Sequence, residues 1–441
     1  MNAPVRHSAA AHPYAGTGEH TGSYYAASAN PAPQRPELIG THDVDVAVLG
    51  AGYSGLSTAL HLAEHGYDVA VVEGARIGWG ASGRNGGQIV NGLNASLQTI
   101  ARRYGQDTAG FVAGLVMEGG DIIRERVATY GIQCDLKPGN VFAALTDAHL
   151  RELEDRWHLW RGYGIDSQDM LSADQMRDHV ASDRYVGGMI DRKGGHMHPL
   201  NLALGEAAAI ESRGGRIFEM SPVTAVRTDG PQPSLHTAKG ELRARTLVLC
   251  GNAYLGHVVP ALARRVMPVS TQIMATEPLG DLAATLMPSD VCVEDVRYIL
   301  DYYRMSADGR LLFGGGTVYG GADPHDIKAK LWTNMVKVFP QLTQTRIDYA
   351  WSGNFALSFS RVPQMGRLGP NTYFAHGYSG HGVTGSHTFG RILAEAIRGD
   401  IGRFDVFAGL PWIPFPGGRM FRVPYSVMGS WWYGLRDRLG L

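Results

Sequence analysis

The chain has 441 residues, enough for two to three domains at about 150 residues each. Its 40 Lys+Arg balance 41 Asp+Glu to a formal charge of −1, which argues against the strongly basic surface of a nucleic-acid binder. Apolar residues are 44% and charged residues 18% of the chain, a composition that builds large cores and is far from disorder.

Cys134, Cys250 and Cys292 lie far apart with no CxxC and no Cys/His cluster, so neither a disulfide scaffold nor a zinc site is expected. The first twenty residues lack a basic segment followed by an apolar one, and no run of 18 apolar residues occurs. The expectation is a cytoplasmic protein without membrane association. Glycine is in excess, 58 of 441 residues, against a usual share of about 7%. With no repeat to absorb it, the excess belongs in turns and close backbone approaches, as where a chain wraps a large cofactor.

Residues 1–40, rich in Ala, Pro, Gly and Ser, read as a flexible arm with local order around Tyr24 and Tyr25. Asp45-Val-Ala-Val-Leu49 suits a buried parallel strand. Gly50-Ala-Gly-Tyr-Ser-Gly55 follows, then Leu56, Ala59, Leu60 and Ala63 at helical spacing, a stop at Gly66, and a second strand Asp68-Val-Ala-Val-Val-Glu73. This is a complete β-α-β unit of the dinucleotide-binding kind. A Gly-dense loop, Gly78-Trp-Gly-Ala-Ser-Gly-Arg-Asn-Gly-Gly87, precedes a helix over about 94–130. Further on come a helix over 201–213, strands at Val223-Thr-Ala-Val226 and Thr246-Leu-Val-Leu-Cys250, and alternating runs over 266–320 that predict an antiparallel sheet. Thr372-Tyr-Phe-Ala375 is a last strand, with Gly377-Tyr-Ser-Gly-His-Gly382 opening a helix to Arg398.

The first glycine turn carries the clearest chemistry. Gly50 permits the tight turn, Gly52 lets backbone approach a pyrophosphate, and Gly55 lets helix and strand pack closely. Tyr53 and Ser54 start the helix, whose N-terminus supplies amide donors and positive dipole for phosphate. Glu73 ends the second strand where a carboxylate accepts ribose hydroxyls. In the second loop Arg84 can neutralise phosphate and Asn85 can bond cofactor or backbone, the alternative being a solvated turn. The third element, with Gly377, Gly380, His381, Gly382, Val383 and Thr384, can place a helix N-terminus against the edge of a flavin that gains negative charge on reduction. An NAD enzyme has no use for this element, so FAD is the expected cofactor.

On these motifs, and on Ala181-Ser-Asp-Arg-Tyr185, Gly195-His-Met-His-Pro-Leu-Asn-Leu202, Gly251-Asn-Ala-Tyr-Leu-Gly256 and Asp301-Tyr-Tyr-Arg304, the chain resembles the FAD-dependent D-amino acid oxidase superfamily of glycine and sarcosine oxidases. The likeness runs from Ser23 to Leu439. It implies an α/β fold: a Rossmann-like FAD domain of the glutathione-reductase type with an α+β substrate domain built on an antiparallel sheet. The expected FAD domain is discontinuous, over 41–130, 186–264 and 349–410, with a substrate domain over 131–185 and 265–348 and a tail over 411–441. The cofactor set then adds Ala81, Ser82, Gly86, Gly87, Gln88, Val223, Gly251 and Asn252. The resemblance also implies oxidation of a C–H beside an amine, here of an acylated diamine, with dioxygen as acceptor and ammonia and hydrogen peroxide as products. Some relatives hold FAD through a cysteine before the C-terminal glycine motif; Trp351 to Ser360 has none, so FAD is expected to be noncovalent. The lysine of sarcosine-type oxidases has no counterpart over Leu311 to Gly316.

For the substrate side, Tyr302 and Arg304 share one strand face and Tyr303 takes the other. Arg304 suits a substrate carboxylate and the tyrosines its alkyl chain and amine, with an ion pair and core packing as the alternatives. His198, near His196, can accept an amine proton or serve structurally. Arg361 is a further carboxylate candidate. A second reading has electrons pass to a membrane quinone, on the strength of the aromatic and basic tail from Trp431 to Leu441.

Overall fold

The computed structural model describes residues 18–228, 232–256, 258–322 and 326–439. Its first sheet is built on the strand Gly40–Leu49, which pairs in parallel with Gly240–Leu249 on one side and Val69–Val72 on the other. Thr372–His376 and Arg216–Phe218 extend the parallel set, and Gln364–Gly369 joins it antiparallel. The strands alternate faces, as period 2 requires. Val46, Val48, Val69 and Val71 pack into the helix-side core with Leu56, Leu60 and Phe389. Ala47, Leu49, Ala70 and Val72 enter a second cluster with Leu235, Leu242 and Phe374.

The second sheet runs in the order Ile347–Ser358, Val266–Thr276, Leu311–Tyr319, Asp301–Met305, Cys292–Asp295, Lys137–Ala144, Gly187–His196 and Gln88–Ile89. It is mixed rather than antiparallel, because Cys292–Asp295 pairs in parallel with Lys137–Ala144. The two are separated by helices and other strands instead of a hairpin, as a parallel pair requires. Gly187–His196, Ile347–Ser358 and Gln88–Ile89 belong here by their pairing, which shifts the boundaries expected at 186 and 349 and sends the loop after Glu73 into this sheet.

One further expectation is corrected and one refined. The helix over 94–130 is three helices, Leu97–Tyr104, Gln106–Leu115 and Glu118–Tyr130, the first break falling at Gly105 with φ +95°. The part of the expected arm within the described residues is ordered around Tyr24 and Tyr25, as expected, and is anchored again at Arg35 and Leu38, while residues 30–34 lie exposed. Ser23 caps a helical turn Tyr24–Ala27, Tyr25 is fully buried against Trp351 and His198, and Arg35 pairs with Glu211 at 2.8 Å. Two adjacent tyrosines with apolar ground to cover outweigh the polar composition around them. Residues 1–17 lie outside the described set. The tail forms a helix, Gly418–Leu439, held through Arg422 Nη1 on the Val266 carbonyl at 2.8 Å. No described helix is long and apolar enough to cross a membrane.

Under the first sheet, the fully buried Glu206 of the helix Pro199–Ser212 accepts Arg126 Nη1 at 2.5 Å and lies 3.0 Å from His387 Nε2. Arg126 Nη2 also donates to the Ser57 carbonyl, so one network ties four helices together. Burial opposes ionisation of Glu206, but His387 and Arg126 outweigh it and hold the carboxyl down at about 2. A depressed carboxylate contributes stability that is complete above its ordinary value and lost as pH falls through the folded one. Glu206→Ala, which strands Arg126, is expected to cost about 3–5 kcal/mol, read as a lower urea midpoint at pH 7. The gap to wild type should narrow as pH drops below about 4.

Candidate active site

A slot opens where the first strand meets its glycine turn. Gly50 adopts φ +103°, which any side chain would strain. A Cβ on Gly55 would lie 1.9 Å from the Gly50 carbonyl oxygen, so the helix Tyr53–Glu64 can start this close to the strand only without one. Gly52, the N-cap, makes no side-chain capping bond; Tyr53 N–H donates to Ser82 Oγ at 3.0 Å, and the next amides of the turn remain to meet a ligand. Glu73 accepts Ala51 N–H at 2.7 Å and Ala75 N–H at 3.0 Å. Burial pushes its carboxyl up while these amides pull it back, and both oxygens keep lone pairs for a ribose. Around this turn Gly50, Gly52, Glu73, Trp79, Val223 and Gly251 line a narrow cavity of about 90 Å³.

It continues into a cavity of about 530 Å³ between the two sheets. Tyr53, Ala81, Ser82, Asn252, Tyr378 and Ser386 line both. The loop between them is held from inside: Asn85 Nδ2 donates to the Ala81 and Ser82 carbonyls, and its Oδ1 accepts Gly87 N–H at 2.8 Å. Arg84 lies over the Trp79 ring at 4.5 Å and donates to the Trp79 carbonyl. Gly380, His381, Gly382 and Val383 close the far wall at the start of the helix Gly382–Ile397. His381 Nδ1 is buried without a partner among the described residues. Burial, reinforced by Arg156, lowers this imidazole to about 4, so at neutral pH it faces the cavity uncharged. Gly55, Gly87, Gly377 and Thr384 do not line either cavity and act by shaping them. Gly87 has φ +74°, with its Cβ position 2.2 Å from the Met197 carbonyl oxygen; Gly377 N–H holds Asn252 Oδ1; Thr384 Oγ1 bonds the Val90 carbonyl. Ser54 lines the narrow part and pairs with the Tyr378 hydroxyl.

The long slot, the Gly52 position open towards it with Ser82 Oγ 3.0 Å from where a Cβ would sit, and the orphaned His381 Nδ1 all fit FAD.

On the substrate side the expected set divides. Tyr302 lines the larger cavity, its ring lying where Cβ atoms on Gly86 or Gly314 would be. Gln88 also lines it, with Nε2 on the Val293 carbonyl. Tyr303 does not: it stacks 5.5 Å from Phe313 in the core beneath the sheet and bonds Tyr185. Arg304 is 3% exposed and does not reach the cavity. Its Nε donates to the Gly86 carbonyl at 2.7 Å, Nη1 to the Met305 carbonyl and Nη2 to the Tyr25 hydroxyl. Tyr25 covers the face that was expected to be open. His198 caps the helix Pro199–Ser212 by accepting Asn201 N–H on Nδ1, with Nε2 beside Ser28. Burial, with Arg304 nearby, lowers it to about 3. Its acceptor is used in the fold.

Arg361 does line the cavity, in a left-handed conformation (φ +65°), with Nη2 on the Tyr298 hydroxyl at 3.1 Å. Glu294 and Arg297, which the sequence did not single out, line it too. Their signal is positional, since Glu294 lies directly opposite Tyr302 in the strand register, a fact available only once the strands are paired.

This architecture, a parallel-sheet nucleotide domain whose slot runs under a second sheet, is that of a flavoenzyme. The family model described as FAD dependent oxidoreductase matches residues 45–396, and the chain belongs to that family; it is an FAD-dependent oxidoreductase. It is 52% identical to gamma-glutamylputrescine oxidoreductase of Escherichia coli over 96% of this chain and 100% of that protein. It is 40% identical to the probable oxidoreductase OrdL of Haemophilus influenzae, over 95% and 98% of the two chains. Among solved structures, glycine oxidase of Geobacillus kaustophilus matches in fold with TM-score 0.69 at 22% identity, covering 81% of this chain and 95% of that one.

Gly52→Val should give folded, colourless protein, because its side chain points at the slot. Gly55→Val should fail to fold, because its side chain meets backbone. Flavin absorbance and circular dichroism after purification separate the two. Arg304→Met, which leaves buried acceptors unpaired, is expected to lower kcat/KM on every amine substrate by a similar factor and to weaken FAD retention, measured by ultrafiltration.

Proposed function

We propose that the protein is an amine oxidase acting on gamma-glutamylputrescine or a close acylated diamine. With dioxygen and water it would form gamma-glutamylaminobutanal, ammonia and hydrogen peroxide, in the breakdown of putrescine. The observation that carries this reading is a cavity beside the FAD slot with an aromatic wall at Tyr302 and Phe355 and an arginine, Arg361, at its outer side. The length and identity of the match to gamma-glutamylputrescine oxidoreductase support it. FAD, when bound, supplies the two-electron acceptor for the C–H beside the amine, and the residues around the slot would hold it noncovalently.

What the chain itself does is bind and orient. Arg297 is neutralised by Asp295 and Asp301, both at 2.5 Å. Arg361 donates to a neutral hydroxyl and forms no ion pair among the described residues, so its fork suits the glutamyl carboxylate. Tyr298 beside it is 39% exposed, which places this anchor towards solvent. Tyr302, Val269 and Phe355 give the butyl chain apolar walls and exclude water from the reacting C–H.

One observation favours the alternative acceptor. The helix Gly418–Leu439 exposes Met420, Phe421, Tyr425, Met428, Trp431, Trp432 and Leu435, an apolar face of the sort that rests on a bilayer. Hydrogen peroxide formed per gamma-glutamylputrescine consumed tests the main reading. A ratio near one, unaffected by added quinone, supports it; a low ratio with rapid quinone reduction supports the dehydrogenase. The flavin is expected in the supernatant after heat or acid precipitation. Arg361→Met should lower kcat/KM for the acylated diamine by roughly tenfold to a hundredfold, the loss of a partly desolvated charged hydrogen bond, with little change for free putrescine.

A further inference from the structure

The cavity holds a carboxylate that the reading above leaves without work. Glu294 stands on the strand Cys292–Asp295, paired across to Tyr302 on one neighbour and to Phe142 on the other. Its side chain lines the cavity, and among the described residues it takes part in no hydrogen bond or ion pair. The charged and titratable groups around it are few. Arg156 lies behind, its guanidinium stacked 4.1 Å over the Phe142 ring and 4.7 Å over Trp160. Asp295, next on the strand, is engaged with Arg297. Cys292 shares the strand and Tyr302 lies across from it, while Glu152, Arg297 and His381 line other parts of the same cavity. Burial raises the Glu294 carboxyl to about 7, with Arg156 opposing and Asp295 adding to the shift.

Glu294 is partly buried, and a carboxylate drawn out of water without donors is costly. It is retained where a ligand brings the donors. Tyr302 sets the position: its ring abuts Gly86 of the cofactor loop, so Glu294 lies on the inner side of the cavity, while Arg361 and the exposed Tyr298 mark the outer side. An extended molecule with a cation at one end and a carboxylate at the other matches this polarity.

We propose that Glu294 is the docking group for the primary ammonium of the substrate and accepts its proton, which leaves the amine neutral for oxidation. In this step one N–H bond breaks, an O–H bond forms on the Glu294 carboxylate, and the electron pair stays on nitrogen. The proposal deepens the amine-oxidase reading and rests on it. It also bears on selectivity, because a ligand must then present a primary ammonium to Glu294 and a carboxylate to Arg361 at once, on opposite sides of the cavity.

The test uses the FAD-loaded enzyme, Glu294→Gln and Glu294→Asp, with two ligands: gamma-glutamylputrescine and gamma-glutamylbutylamide, identical but for a hydrogen in place of the terminal amine. Glu294→Gln should lower kcat/KM for the amine by on the order of a hundredfold, as when a buried charge pair loses one partner. The Kd of the butylamide, followed by the flavin spectrum, should stay within about twofold. The rise of kcat/KM with pH near neutrality, present in wild type, should vanish in the Gln variant and persist in the Asp variant. Equal weakening of both ligands, or a pH rise unchanged by Gln, would overturn the proposal. If wild type prefers another primary amine, the substrate reading fails, and that amine with its des-amino analogue decides the role of Glu294 by the same criteria.

Discussion

The hydrogen bond from Arg304 Nε to the Gly86 carbonyl, 2.7 Å long, joins the second sheet to the loop that frames the cofactor slot. The same guanidinium reaches the Tyr25 hydroxyl and the Met305 carbonyl, so sheet, loop and N-terminal segment are fixed by one cation. Its geometry dictates the neighbouring sequence. Side chains at Gly86 and Gly87 would fall 2.7 Å from the Tyr302 ring and 2.8 Å from Arg304 Nη2 respectively. A planar donor fork is needed to satisfy three acceptors in fixed directions, which a lysine does not offer.

With that seam fixed, the electrostatics of the cavity become simple. Arg297 is balanced by two aspartates, and His381 is held neutral by burial. Among the described residues, Glu294 on the inner side and Arg361 on the outer side face the cavity without ion-pair partners, Glu294 sensing only the more distant charge of Arg156. Low dielectric between the sheets strengthens what each offers a ligand of opposite charge. The nucleotide half is built differently: backbone amides at the glycine turn and the carboxylate of Glu73, already oriented by Ala51 and Ala75, are what it offers a cofactor.

The difference between the halves explains what could be read from the chain alone. Gly50, Gly52, Gly55 and Glu73 lie within one β-α-β unit, where local spacing determines geometry, and the strand, turn and acid fall where spacing places them. The same local rule put Tyr302 and Arg304 on one face. It could not say what fills that face, because the partners of Arg304 are 218 and 279 residues away in sequence. Tyr25 sits in a segment whose composition reads as flexible, and contacts distant in sequence order it: its fit against Trp351 and His198 and its hydroxyl on Arg304. Glu294 was invisible for the same reason: a single acidic residue in a short strand gains meaning from the strands on either side, one of them the parallel neighbour that made the sheet mixed.

The central claim is that the cavity accepts an amine carrying a remote carboxylate. Anaerobic mixing of the FAD-loaded enzyme with a panel of amines tests it most directly, since bleaching of the flavin reports the reductive step without regard to the later electron acceptor. Acylated diamines, free diamines, glycine and N-methyl amino acids would be compared at equal concentration. The account predicts complete, rapid bleaching by gamma-glutamylputrescine, much slower bleaching by putrescine, and none by glycine or sarcosine. Faster reduction by an α-amino acid or by sarcosine than by the acylated diamine would contradict it.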